Sequence, residues 1–157
     1  MTATFTRTID TTNEGDTRAI AGTIAGISAG GDIIGLAGEL GSGKTAFARG
    51  FIHALGNTGE IPSPTFTLVQ IYNFADRVFH FDLYRLEKPE DAFELDLDDA
   101  FHSGISLIEW PEKLGPYLPS RRLMITMEFG QQEGARRLHM EAPSRWAARI
   151  QGLEFNV

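Results

Sequence analysis

Apolar positions along this chain switch between an alternating and a helical spacing, and each switch marks a new element. Thr2 to Ile9 alternates small β-branched and apolar residues around Phe5, which predicts an opening strand. Thr11-Thr12-Asn13-Glu14 supplies a helix N-terminal signal ahead of Ala19, Ile20, Ile24 and Ile27, and Gly30-Gly31 ends that helix. Ile33 to Ala37 is a short apolar run of the kind buried on both faces of a sheet, and a glycine-rich turn follows at once. Ala46, Phe47, Phe51, Ile52 and Leu55 then trace one face of a second helix, stopped by Gly56.

A proline-stiffened loop, Ile61 to Thr65, leads into two strands, Phe66–Tyr72 and Val78–Asp82, across the polar turn Asn73–Arg77. An acidic helical stretch runs from Pro89 to Phe101, followed by an apolar strand at Ile105–Ile108 and by Trp110-Pro111. Two more strands, Leu123–Phe129 and Arg137–Glu141, and a short amphipathic helix from Ser144 complete the chain. This order predicts one domain over residues 1–157, an α/β fold of three layers with a largely parallel, mixed central sheet that is antiparallel at one edge.

Charge narrows the function. Fourteen Lys+Arg against 21 Asp+Glu give a net charge of -7, so bulk electrostatics exclude DNA and leave RNA reachable only through a local patch or a partner. The absence of cysteine removes disulfides, thiolate metal sites and cysteine nucleophiles together. The stretch Ala19–Gly31 is too short and glycine-rich to span a membrane, and no basic segment opens the chain, which leads us to expect a cytoplasmic protein. Lysine occurs only at Lys44, Lys88 and Lys113, so a lysine in a special setting carries information.

Lys44 has such a setting. Gly38-Glu39-Leu40-Gly41-Ser42-Gly43-Lys44-Thr45 matches G-x-x-x-x-G-K-[ST] between a predicted strand and a predicted helix, the context a P-loop requires. Glycines let consecutive N–H groups turn inward, and the helix that follows, from Ala46, adds its partial positive charge where phosphates would sit. Lys44 is the mobile charge for the β- and γ-phosphates, and the Thr45 hydroxyl is placed for magnesium. A magnesium-nucleotide site also needs an acid at the end of a neighbouring strand, and two candidates fit, Asp82 and Glu109. His80 shares a strand face with Asp82 and reads as a packed or hydrogen-bonded histidine ahead of a catalyst. Trp110 reads as a core corner or a cover for the nucleotide, and Ser63 and Thr65 as turn formers or a γ-phosphate switch.

The set Gly38–Thr45, Ser63-Pro64-Thr65-Phe66-Thr67-Leu68, His80-Phe81-Asp82-Leu83-Tyr84-Arg85 and Ile108-Glu109-Trp110-Pro111-Glu112, in this order, strongly resembles the bacterial TsaE (YjeE) ATPases. The similarity runs from the first helix to about Leu118, and Gly134-Ala135-Arg136-Arg137 only approximates the Gly-Arg pair that enters a strand in the family. The resemblance implies an ATP- and Mg2+-dependent subunit that works with TsaD and TsaB to make N6-threonylcarbamoyladenosine beside the tRNA anticodon. The group transfer then belongs to TsaD, and tRNA is met only through the complex. It also implies that Lys44 binds phosphate and that Thr45 and Glu109 hold magnesium. Asp82 becomes the Walker-B-like acid, Thr65 the switch residue, and Trp110 a neighbour of the nucleotide.

Intrinsic turnover is expected to be low, since no arginine is evidently placed as a finger in cis. A GTP switch is disfavoured by the lack of an Asn-Lys-x-Asp loop downstream of the P-loop. A small-molecule kinase stays open through Arg121-Arg122 and Arg136-Arg137 as lid arginines, as does a docking module locked by nucleotide without hydrolysis. Seven of the 21 acids lie between Glu87 and Asp99 with Lys88 as the only base, a solvated face or a surface for a basic partner.

Overall fold

A computed structural model describes residues 4–57, 59–64 and 67–157. The elements are β1 (Thr4–Thr11), α1 (Glu14–Ala25), β2 (Ile33–Gly38), α2 (Lys44–Ala54), β3 (Val69–Asn73), β4 (Arg77–Asp82), α3 (Leu97–Ser103), β5 (Ile105–Glu109), β6 (Leu123–Phe129), β7 (Arg136–Pro143) and α4 (Ser144–Ile150). Two 3-10 segments, Pro89–Leu95 and Pro111–Tyr117, flank α3 and β5.

The strands form one sheet in the order β1-β7-β6-β2-β5-β4-β3. The central pairings of β2 with β5, β2 with β6 and β4 with β5 are parallel. Both edges are antiparallel, through β3 with β4 on one side and β6, β7 and β1 on the other. Antiparallel pairing at one edge only is therefore corrected to both. The reason is loop length: the turns between β3 and β4 and between β6 and β7 are too short for a crossover, so each pair must fold back as a hairpin.

Alternation along the central strands fills two cores. Ile34, Leu36, Leu107 and Ile125 face α1 and α2, where Ile20, Ile24, Phe47 and Phe51 meet them. Ile33, Phe79, Phe81 and Ile108 face the other way and pack on Ala92, Leu97, Ala100 and Leu114. The sheet is thus covered on both faces, as a parallel centre demands. At the N-terminus of α1, Asn13 Oδ1 accepts from the Asp16 backbone N–H at 2.9 Å while Asp16 Oδ2 accepts from Thr12 N at 2.9 Å. This reciprocal cap satisfies donors that the helix cannot. Arg149 of α4 grips buried Asp32 with two bonds of 2.6 and 2.9 Å, fixing the last helix to the start of β2.

The acidic stretch from Pro89 to Phe101 is not one helix. Asp96 turns into the left-handed region at φ 58 and splits it into a 3-10 segment and α3, a conformation that aspartate tolerates better than most residues. The first of the two strands expected across Asn73–Arg77 runs from Val69 to Asn73, with Thr67 and Leu68 in a turn before it, and Phe66 lies outside the described residues.

Helices α1 and α2 touch backbone to backbone at Gly50, where an added Cβ would lie 2.7 Å from Arg18 Cα and 2.8 Å from Arg18 O. Both atoms are main chain and cannot rotate away. Gly50→Ala is therefore expected to destabilise the protein by about 1–3 kcal/mol, read as a lower urea midpoint. An unchanged midpoint would show that the two helices separate without cost.

Candidate functional site

The C-terminal ends of β2, β4 and β5 open onto one cleft of about 390 Å3, the edge where α/β sheets bind ligands. The loop from Gly38 to Gly43 curls over it. Three of its glycines have positive φ, 143 at Gly38, 81 at Gly41 and 111 at Gly43. At Gly38 a Cβ would stand 2.6 Å from both Met127 O and Ser42 Oγ, so only glycine fits. Gly43 caps α2 without any side-chain hydrogen bond, and the first turn of α2 holds no acidic residue. The helix therefore begins without a side-chain cap or an acidic residue of its own in the first turn, which leaves the positive end of its dipole facing the cleft.

Lys44 is buried, and its ammonium donates to Gly38 O at 2.6 Å and Glu39 O at 2.8 Å. Its Nζ also sits 4.2 Å from the centre of the Trp110 ring. Burial pulls its pKa below the usual lysine value of 10.5, against the opposing pull of the Glu109, Glu112 and Asp82 carboxylates. An ammonium has three donors: two go to these loop carbonyls, and the third reaches Ser42 Oγ at 3.5 Å, the longest of the three contacts and the one an incoming anion would displace most readily.

Asp82 and Glu109 are directly paired in the parallel register of β4 and β5, which sets both carboxylates on the face that carries α2. Thr45 Oγ1 donates to Glu109 Oε1 at 2.8 Å, and Asp82 Oδ1 accepts from Tyr84 N at 3.1 Å. Glu109 Oε2 lies 2.6 Å from Nε2 of fully buried His80. Asp82 and Glu109 put two nearly buried carboxylates side by side at one end of the cleft, a local arrangement that suits a cation, while Lys44, Arg49 and Arg85 line the same cleft and suit an anion. Among the described residues no group of three or more His, Cys, Asp or Glu could hold a metal alone. Magnesium instead takes one or two carboxylates together with substrate phosphates, and the Thr45 hydroxyl, having donated its hydrogen to Glu109, keeps its lone pairs for it. The donor set fits Mg2+, and the glycine cradle fits phosphate.

Of the residues singled out from the sequence, Leu40, Gly41, Gly43, Lys44, Thr45, Ala46, Asp82, Glu109 and Trp110 line this cleft, as does Ser63. Gly38, Glu39 and Ser42 shape the loop from behind, with Ser42 fully buried. Thr65 lies outside the described residues. The core reading of Trp110 holds in part: its backbone stands at φ 61, and its ring packs partly on the core and partly over Lys44 and Tyr84 at the cleft.

A family model described as "Threonylcarbamoyl adenosine biosynthesis protein TsaE" matches residues 11–138. The chain belongs to the TsaE family. A Bacillus subtilis protein named tRNA threonylcarbamoyladenosine biosynthesis protein TsaE is 41% identical over 122 residues, 75% of each chain. One of the same name from Haemophilus influenzae is 42% identical over 96 residues, 60% of this chain and 61% of its own. The crystal structure of YdiB from Bacillus subtilis superposes with a TM-score of 0.82 at 30% identity, covering 96% of this chain and 95% of that one. Every residue named in the cleft falls inside the stretch that the TsaE model matches.

Sequence reasoning missed Tyr84 and Arg85 as cleft residues, although both stand in the run His80–Arg85. It also gave Arg136 no firm place in this TsaE-family chain. Arg136 Nε donates to Ser42 O at 3.0 Å and its Nη2 to Gly41 O at 3.2 Å, while its guanidinium stacks 4.7 Å from the Phe129 ring centre. In a trans peptide C=O and N–H point opposite ways, so holding the Ser42 carbonyl outward turns the Gly43 N–H away from Arg136. Arg136→Gln is expected to speed amide exchange across Gly41–Gly43 by about tenfold or more, given ~1.5–3 kcal/mol for hydrogen bonds to a charged group. Unchanged exchange would show that the loop keeps its shape unaided.

Proposed function

We propose that this chain is the magnesium-dependent ATP-binding and ATP-hydrolysing subunit of tRNA threonylcarbamoyladenosine biosynthesis. It acts in the cytoplasm, as one domain, on TsaD-like and TsaB-like partner proteins. The carrying observation is the convergence of Lys44, Thr45, Asp82 and Glu109 on one cleft beneath a glycine loop. Bound Mg-ATP supplies the phosphoanhydride bond whose cleavage the site would drive. Lys44 places a charge on the phosphates, the loop N–H groups and the start of α2 hold them, and Thr45 with Glu109 and Asp82 positions the cation. Trp110, Ala46 and the walls of the cleft exclude water from one side.

Adenine rather than guanine is favoured by the lack of an Asn-Lys-x-Asp loop. The small-molecule kinase reading loses its lid. Arg121 donates to Phe101 O at 2.7 Å and Arg122 to Pro119 O at 2.9 Å, and both line a separate pocket with Arg145, away from the P-loop cleft. Arg137 is held by Asp10 at 2.8 Å, and Arg136 is engaged with the loop itself. A net charge of -7 favours a tRNA held by the partners rather than by this chain.

Calorimetry should show Lys44→Ala weakening ATP binding by about 100-fold, the loss expected for a charge-assisted contact to phosphate. Equal affinity would overturn the P-loop reading. Phosphate release should be slow for the chain alone and rise when TsaB and TsaD homologues are added. Release that the partners do not change would count against an ATPase acting on them, and no release in any mixture would favour a nucleotide-locked docking module.

A further inference from the structure

The cleft explains Thr45, Asp82, Glu109 and Lys44 but leaves one buried polar side chain beside them without a task. His80 lies on β4 two residues before Asp82, fully buried, with Nε2 at 2.6 Å from Glu109 Oε2. Its Nδ1 finds no partner among the described residues. An imidazole with one nitrogen unsatisfied is a poor way to fill a core, because an apolar side chain of similar size would pack there without the desolvation cost. The ring therefore earns its position through Nε2, whose hydrogen-bond partner among the described residues is Glu109.

Glu109 is held at two points. His80 takes Oε2 from behind, and Thr45 Oγ1 donates to Oε1 from the cleft side at 2.8 Å. A carboxylate bonded through one oxygen can rotate about its terminal torsion, which is broad and nearly two-fold. Bonded through both, it has one orientation. The parallel register pairs Glu109 with Asp82 and His80 with Leu107, so the histidine sits one pleat below the carboxylate, on the same sheet face, where its ring reaches Oε2 without crossing the cleft.

We propose that His80 is a positioning residue for Glu109: its Nε2–H fixes Oε2 so that Oε1 stays on the Thr45 hydroxyl, which orders the magnesium-facing end of the cleft. The proposal rests on the magnesium-ATP reading of the site.

Asparagine and glutamine carry the same amide, but only glutamine reaches the place of Nε2, so His80→Asn and His80→Gln separate the contact from mere polarity. ATP affinity of the full chain is measured by calorimetry with Mg2+ and with EDTA, and the ratio of the two is the readout. His80→Asn is expected to lower that ratio about tenfold while leaving the EDTA affinity unchanged. His80→Gln should stay within about threefold of wild type. In a Glu109→Gln background, His80→Asn should have no further effect on the ratio, since the contact runs through that carboxylate. Melting curves without nucleotide confirm that each variant is folded, and the wild-type and His80→Gln pair against Glu109→Gln carries the test if His80→Asn is not.

The proposal is overturned if the two variants behave alike, if both affinities fall together, or if the His80→Asn effect survives in the Glu109→Gln background. A wild-type protein whose ATP binding ignores Mg2+ would instead overturn the reading of the site on which the proposal rests.

Discussion

Parallel pairing at the centre of the sheet is the constraint on which the cleft depends. Because β2, β4 and β5 run the same way and end at the same edge, Gly38, Asp82 and Glu109 arrive together although 71 residues of chain separate the first from the last. The register adds a finer condition. Asp82 stands opposite Glu109, so a slip of one residue would send one carboxylate to the far face, among Phe79, Phe81 and Ile108. The apolar residues that flank the two acids hold that register: Val78, Leu107 and Ile105 belong to one core and Phe79 and Phe81 to the other. Hydrophobic burial on both faces thus sets the position of the charged groups between them.

The glycine loop is held from two sides before any ligand arrives. Lys44 grips the carbonyls of Gly38 and Glu39 from within, and Arg136 grips those of Gly41 and Ser42 from without. Ser42 N donates to Glu39 O at 3.0 Å and closes the turn. With its outward carbonyls satisfied, the loop need not rearrange to expose donors, and the ordering cost of binding falls accordingly. The grip of Arg136 also ties the loop to the antiparallel edge, since its own strand, β7, pairs with both β6 and β1. That edge therefore has a part in the site: β6 finishes beside Gly38, which pairs with Met127, β7 opens at Arg136, and Glu14, just past the end of β1, lines the cleft.

What could be read from the sequence follows from how local each signal is. The loop, the two strand-terminal acids and most element boundaries rest on patterns within a dozen residues, and the structure places them at one site. The contact of His80 with Glu109 spans 29 residues and that of Arg136 with Ser42 spans 94, and neither leaves a trace in periodicity. His80 was legible as a hydrogen-bonded histidine but not its partner. The full antiparallel edge is not legible because the pairing of β1 with β7 joins the two ends of the chain, too far apart for any local pattern to record. The break at Asp96 was missed because acidic helical composition continues across it, and a single left-handed residue is set by packing on both sides of it rather than by its neighbours in sequence.

Trp110 shows how the two faces of the sheet communicate. Its positive φ costs about 1–3 kcal/mol for a bulky residue, so something must hold it there. The Trp110 N–H donates to Leu36 O at 3.3 Å, continuing the β2–β5 pairing by one residue, and Pro111 then starts a 3-10 segment on the opposite face. That segment comes close because Gly35 has no side chain: a Cβ would stand 3.2 Å from Pro111 Cγ and 2.9 Å from Met124 Sδ. With its N–H bound to β2 and the next residue drawn under the sheet, the Trp110 side chain lies between the second core and the cleft, where it meets Lys44 and Tyr84. A glycine on the far face of the central strand thereby decides which ring stands over the lysine, and the strain at Trp110 is the local cost of turning the chain from one face to the other at the site.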